Sequence, residues 1–173
     1  QELLEKVSRY LKAYDKMRMV VAGGATRTDS VMAGLAAVSD RAQLVAVHDG
    51  ARPLVTDEVI CRAVSKAKKF AAAAPAVRVK DTIKVSTGGA VDETPDRSTL
   101  YAVQTPQVFD RDLLAAALQN EKEQGIALTD DCSAVEALGM PVQLTVGDEE
   151  NLKITTPLDL ELAALILRRR ANA

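Results

Sequence analysis

A chain of 173 residues with 22 Lys and Arg against 24 Asp and Glu, net charge -2, has the length of one globular domain and no basic field to hold a nucleic-acid backbone. Its cations are scattered except for Arg168-Arg169-Arg170, no apolar run is long enough to span a bilayer, and the start reads as a charged amphipathic helix rather than a signal peptide. These features exclude nucleic-acid and membrane partners and point to the cytoplasm. Trp is absent and aromatics are 3% of the chain, so the core must be built from Ala, Val, Leu and Ile. Cys61 and Cys132 lie far apart inside helical patterns and read as buried free thiols.

Helical and strand patterns alternate along the chain without repeats, the signature of an α/β layer fold. Leu3, Leu4, Val7, Tyr10, Leu11 and Tyr14 form one helical face, followed by a strand at Met19 to Ala22. The segment 23–30 is a glycine turn leading into a helix over Asp29 to Val38. The apolar strand 43–48 runs directly into Asp49-Gly-Ala-Arg-Pro53, and Thr56-Asp57-Glu58 caps a helix reaching Phe70. In Ala71 to Val79 alanine favours helix while Pro75 and the valines favour extension; the second half is read as a strand.

Between Asp81 and Leu100 the pattern shortens to β-like pieces, Thr82 to Val85 and Gly89 to Val91, around a turn at 87–89. This predicts a hairpin arm, marginal alone, with edges that a second subunit would cover. A strand at Tyr101 to Val103, a helix from Asp110 to Glu123 and a shorter helix opened by Thr129-Asp130-Asp131 come next. Val142 to Val146 and Leu152 to Ile154 read as strands, and Thr156-Pro157 caps and opens the last helix.

Ligands of open parallel sheets bind beyond the carboxyl ends of the strands. Asp49 and Arg52 stand at such an end, where a carboxylate suits a hard cation and a guanidinium suits phosphate. The glycine turn at 23–24 makes a second crevice, and the pair suggests a nucleotide site. Each feature has an ordinary reading as well. The Gly23-Gly24 pair alone is a turn, and His48, the single histidine, is an oriented strand-end residue. Asp130 and Asp131 equally form a helix's acidic first turn, Lys153 a solvated edge lysine, and Arg97 a surface ion pair with Asp96.

The order of the motifs is more specific than any one of them. Gly-Gly-Ala-Thr-Arg-Thr-Asp-Ser at 23–30, His-Asp-Gly-Ala-Arg-Pro at 48–53, Val-Lys-Asp-Thr-Ile-Lys at 79–84, Gln-Thr-Pro-Gln at 104–107, Thr-Asp-Asp at 129–131 and Glu-Asn-Leu-Lys-Ile-Thr at 150–155 occur in series. With them the chain resembles the 2-C-methyl-D-erythritol 4-phosphate cytidylyltransferase family of the non-mevalonate isoprenoid pathway, from about residue 18 to near the end. The resemblance implies a three-layer, Rossmann-like nucleotide-diphospho-sugar transferase fold with a mostly parallel sheet, and a homodimer joined through the 81–100 arm. It implies transfer of CMP from CTP to the sugar-alcohol phosphate, assisted by Mg²⁺. Gly24 and Ala25 would bring backbone close to cytidine, Ser30 would offer a hydroxyl to the base, and Asp49 would ligate Mg²⁺ on the CTP phosphates. Arg52, Thr105, Thr129 and Lys153 would hold the substrate phosphate or hydroxyls, with Thr82 and Arg97 reaching into the partner subunit's site. Arg97 and Lys153 would be the catalytic cations, because phosphoryl-type transfer needs positioning and charge neutralisation rather than a covalent nucleophile.

One departure stands out. Family members begin with a strand and a glycine-rich loop that grip the triphosphate, and no such segment is found among these 173 residues. The expectation is therefore a single domain, incomplete at its amino terminus and inactive alone. D-ribitol 5-phosphate as acceptor, or a noncatalytic nucleotide-binding or dimerisation module, are the competing readings. A plant-like source would replace the cytoplasm with a plastid.

Overall fold

The computed structural model describes residues 2–11, 13–125 and 129–172. The elements run α1 (Glu2–Leu11), α2 (Arg27–Ala36), β1 (Leu44–Val47), α3 (Asp57–Phe70), β2 (Ala72–Arg78), a 3-10 turn (Arg97–Thr99), β3 (Tyr101–Val103), β4 (Gln107–Asp110), α4 (Arg111–Gln124), α5 (Asp131–Ala137), β5 (Gln143–Val146) and α6 (Pro157–Ala171). Among the described residues no helix is long and apolar enough to cross a membrane.

Strand β2 is the spine of the sheet. Ala72 and Ala74 face one layer, packing with Phe109, Leu114, Leu118 and Val135 beneath α4 and α5, while Ala73 and Val108 face Ala63 and Ala67 of α3 on the other. The pleat sends successive side chains to opposite faces, so this split is the three-layer arrangement read directly from the packing. Alanine, ambiguous in isolation, becomes strand because burial on both faces outweighs its intrinsic preference. The extended segment accordingly covers the first half of 71–79 as well as the second. Pro75 is accommodated where β2 changes partner: β4 pairs Ala72 and Ala73, and β3 takes over at Ala76. The Pro75 carbonyl accepts the Gln104 N–H at 2.8 Å in that gap, so the missing proline N–H interrupts no ladder bond there.

The sheet corrects the expectation of mostly parallel pairing. β1, β2 and β5 point the same way, but β4 is inserted between β1 and β2, so among the described residues three of the four strand pairings are antiparallel and only β2 with β5 is parallel. The β1–α3–β2 crossover skips one position, and a later strand of opposite direction fills it. That strand, Gln107 to Asp110, was not foreseen in the sequence, because four residues give no periodicity of their own.

Two expected strands are not formed. Residues 19–22 pair with no described strand, and Met19 and Val21 are exposed; residues 152–154 form no strand and are tied by a backbone bond from Ile154 N–H to the Ala51 carbonyl, 2.8 Å. Apolar composition makes a segment willing to be a strand, but only a partner makes it one. The 80–96 arm is exposed and contains one isolated antiparallel bridge, Val85 to Glu93, in place of the expected ladder through Gly89 to Val91. Its turn is tied by the Asp92 carboxylate, which accepts the N–H and hydroxyl of Thr87 at 2.7 and 2.8 Å. Asp92 prefers this local turn to continued pairing. The expected Asp96–Arg97 ion pair is also absent: Asp96 caps the 3-10 turn and Arg97 donates to the Lys80 carbonyl. Cys132 is buried as expected, whereas Cys61 is exposed, because α3 turns Val59, Ala63 and Ala67 to the sheet and leaves position 61 on the outer side.

Candidate active site

The end of β1 is the centre of the site. The chain turns after Val47, with the Arg52 N–H donating to the Asp49 carbonyl at 2.9 Å, so that Asp49 and Arg52 face the same space. Asp49 Oδ2 lies 3.1 Å from Lys153 Nζ and 3.5 Å from Arg52 Nε. Burial pushes the Asp49 carboxyl up, but Lys153, Arg52 and Arg27 together outweigh it and hold the group below the ordinary carboxylate range. Asp49 Oδ1 takes no protein hydrogen bond among the described residues. The three charged side chains differ in freedom: Arg52 is 13% exposed, Asp49 22% and Lys153 48%.

Behind this cluster, the Asp49 N–H donates to Thr105 Oγ1 at 3.0 Å, and Thr105 Oγ1 lies 2.9 Å from His48 Nδ1. His48 Nε2 is 3.1 Å from the Arg52 carbonyl, which can only accept. In the neutral ring Nε2 therefore carries the proton and the Thr105 hydroxyl donates to Nδ1. His48 is thus the oriented strand-end residue expected of it. Lys153 is delivered from the far side of the sheet, through Asn151, whose carbonyl accepts Arg52 Nη1 at 2.7 Å, and Ile154, bonded to Ala51. Leu152 and Ile154 pack on Leu54, Ala163 and Ile166, which fastens the segment to α6.

The glycine turn supplies the second wall. Thr26 and Asp29 form a reciprocal capping box that starts α2, and a Cβ on Gly24 would stand 2.2 Å from Asp29 Cβ, so glycine is required here by the helix's own first turn. Ser30 Oγ accepts the Gly24 N–H at 3.1 Å and donates to the Thr26 carbonyl at 2.9 Å, fixing the loop that holds Ala25 and leaving one oxygen lone pair for a ligand. A cavity of about 500 Å³ between α2 and β1 is lined by Arg27, Ser30, Val31, Leu35, His48 and Asp49 among others, so the two crevices expected from sequence are one space.

Arg27 crosses this space to Asp131 with two parallel hydrogen bonds of 2.7 and 2.6 Å. The hydrogen bond to Asp131 raises the Arg27 pKa despite the opposing effect of burial. Asp130 caps α5 through Ser133 and accepts Gln107 Nε2 at 2.7 Å; burial opposes its ionisation, but Ser133, Gln107 and Arg27 hold its pKa low. Thr129 stands beside them, its hydroxyl 3.4 Å from Ser133 Oγ. Thr82 and Arg97 make no described hydrogen bond to the Asp49 cluster. The structure thus gathers Asp49, Arg52, Thr105 and Lys153 in one cluster, joins Gly24 to Ser30 in a loop of which Ser30 lines the same cavity as Asp49, and leaves the arm residues without a described bond to either. Arg27 and Asn151 were given no role by the sequence reading, and Asp131, read as part of a helix's acidic first turn, does stand in the first turn of α5 and also receives Arg27. Arg27 and Asn151 sit inside the motif series, but nothing in a linear sequence marks which motif members are buried. Among the described residues no three His, Cys, Asp or Glu side chains gather as a metal cluster.

Comparison with known proteins points to one family. The family model described as 2-C-methyl-D-erythritol 4-phosphate cytidylyltransferase (IspD) matches residues 4–169. A protein of that name from Desulforamulus reducens is 49% identical over 158 residues, covering 91% of this chain and 68% of the relative; one from Symbiobacterium thermophilum is also 49% identical, over 91% and 67%. Among solved structures, 4-diphosphocytidyl-2C-methyl-D-erythritol synthase from Anaerococcus prevotii superposes with a TM-score of 0.90 at 32% identity, covering 97% of this chain and 78% of that one. The enzyme from Thermus thermophilus gives 0.78 at 37% identity, over 89% and 78%. With the motif series, the three-layer fold and nearly the full length of the chain all matched, this chain belongs to the 2-C-methyl-D-erythritol 4-phosphate cytidylyltransferase family.

Proposed function

We propose that the chain carries the site in which a cytidylyl group passes from CTP to 2-C-methyl-D-erythritol 4-phosphate, with release of pyrophosphate. The observation that supports this reading is the convergence of Lys153 and Arg52 on Asp49, which lines one cavity together with Ser30 and Arg27. An oxygen of the acceptor's phosphate attacks the α-phosphorus of CTP; a new phosphoanhydride bond forms as the bond to the β-phosphate breaks, and pyrophosphate carries away the electron pair. Such a transfer asks the protein to align two anions and neutralise their charge. Lys153, the more exposed of the two cations, meets the acceptor phosphate, while the more buried Arg52, with Thr105 and Thr129, shapes the space for its hydroxyls. Ser30 and the backbone of Gly24 and Ala25 receive the cytosine.

Mg²⁺ suits Asp49, whose Oδ1 takes no hydrogen bond among the described residues, because this ion binds through one or two carboxylates plus substrate phosphate oxygens. Bound there, it would neutralise charge on the triphosphate. The exposed arm, with Ile83, Val85 and Val91 uncovered, serves as the dimer contact that brings Thr82 and Arg97 to a second copy's site.

The test is pyrophosphate release from CTP with methylerythritol 4-phosphate and, separately, with D-ribitol 5-phosphate, with and without Mg²⁺, alongside calorimetric binding of CTP with Mg²⁺. With the family's amino-terminal glycine-rich segment supplied, turnover with the former, reduced about 10²- to 10³-fold in Lys153→Ala, is expected. Turnover restricted to ribitol phosphate, or no binding of CTP, overturns the reading. Light scattering of the wild type and of a Val85→Asp, Val91→Asp variant reads the dimer.

A further inference from the structure

Asn151 is wholly buried, in a segment otherwise at the surface. Its Nδ2 donates to the Thr105 carbonyl at 2.9 Å and approaches Gln104 Oε1 at 3.4 Å, and its own carbonyl accepts Arg52 Nη1. Gln104, also buried, donates through Nε2 to the Asp148 carbonyl at 2.7 Å and accepts the Asp148 N–H at 3.2 Å. Two side-chain amides therefore pin the backbone of 148–151 to the end of β3. Gly147 permits the approach: a Cβ there would stand 2.7 Å from Gln104 Oε1 and 3.0 Å from the Ala76 carbonyl.

This clamp ends two residues before Lys153, and Ile154 is fixed on the other side by Ala51. The lysine backbone is held at both flanks while its side chain stays half exposed. Asn151 Oδ1, moreover, is buried with no hydrogen-bond partner among the described residues. An unpaired buried acceptor is a cost that a residue kept for stability alone would avoid.

We propose that Asn151, with Gln104, is a positioning residue: the paired amides set the backbone register that places Lys153 Nζ beside Asp49. Asn151 touches neither nucleotide nor acceptor and acts through Lys153 and Arg52. The kinetic consequence rests on the function proposed above; the geometric one does not.

The experiment reads Lys153 directly. Lysines are reductively methylated with a ¹³C label, and the Lys153 resonance is assigned by its disappearance in Lys153→Arg. Asp49→Asn gives the unpaired position of the signal. Asn151→Ala and, as a second variant striking the same clamp, Gln104→Met are expected to move the resonance to that unpaired position. Phe109→Ala, which destabilises the core away from the clamp, is expected to leave it in place. In turnover assays Asn151→Ala is expected to lower kcat about 10²-fold, the scale of an ångström-sized misplacement, with the KM for CTP within about twofold. The double variant with Lys153→Ala should be no slower than Lys153→Ala alone. A resonance that stays paired in folded Asn151→Ala and Gln104→Met, or that moves equally in Phe109→Ala, overturns the proposal. If the wild type shows no turnover even with the amino-terminal glycine-rich segment supplied, the function proposed above fails and the resonance still decides the clamp.

Discussion

The Arg27–Asp131 pair makes an asymmetric prediction. The two side chains share two short hydrogen bonds, yet Arg27 is 41% exposed and Asp131 only 1%. Removing Arg27 strands a carboxylate in the interior, which costs about 3–5 kcal/mol when nothing else compensates it. Removing Asp131 strands a guanidinium that water already reaches. With that screening, the loss falls to the range of a charge-assisted hydrogen bond, about 1.5–3 kcal/mol, or less. Arg27→Ala should therefore destabilise more than Asp131→Asn, by about 1–2 kcal/mol. Urea unfolding measures both, compared through their midpoints at a common slope. Equal losses in the two variants would refute the view that burial of Asp131 governs this contact.

Three further outcomes are expected. Ala71 caps α3 in the left-handed region at φ 67°, a conformation costing alanine roughly 1–2 kcal/mol, so Ala71→Gly should raise stability by roughly 0.5–1 kcal/mol net of unfolded-state entropy, read from the same urea curves. Gly24→Ala places a methyl 2.2 Å from Asp29 Cβ; it should break the α2 capping box and weaken calorimetric CTP binding more than it lowers the melting temperature. Asp49 and Asp130 both have folded-state pKa values below the ordinary one despite burial, so their contribution is present at neutral pH and is lost as pH falls through the ordinary carboxylate range of about 4 and below. Asp49→Asn should flatten the stability profile over that acid window, and an unchanged slope would contradict the assignment.

Much of the site could be read because its parts obey local rules. A strand running into Asp49 and Arg52, a glycine turn ahead of a capped helix, and Thr156-Pro157 opening α6 are statements about neighbours in sequence, and the structure places all of them nearly where they were expected. What failed was long-range. Residues 19–22 have strand composition but no described partner, while Ala72 to Ala74 have helix composition and became the centre of the sheet because helices pack on both sides. Cys61 and Cys132 looked alike in sequence and differ in burial because α3 and α5 turn different faces inward.

By itself, then, the sequence determined the family, the α/β class, the helix caps and the residues that gather at the end of β1, since motif order and capping are encoded within a few residues of each other. Only the tertiary structure decided that β4 inserts between β1 and β2, that Arg27 reaches across to Asp131, and that Asn151 lies buried beneath Lys153. Those contacts join positions tens of residues apart, and burial, strand direction and a hydrogen-bond partner belong to the packed chain rather than to any one segment of it.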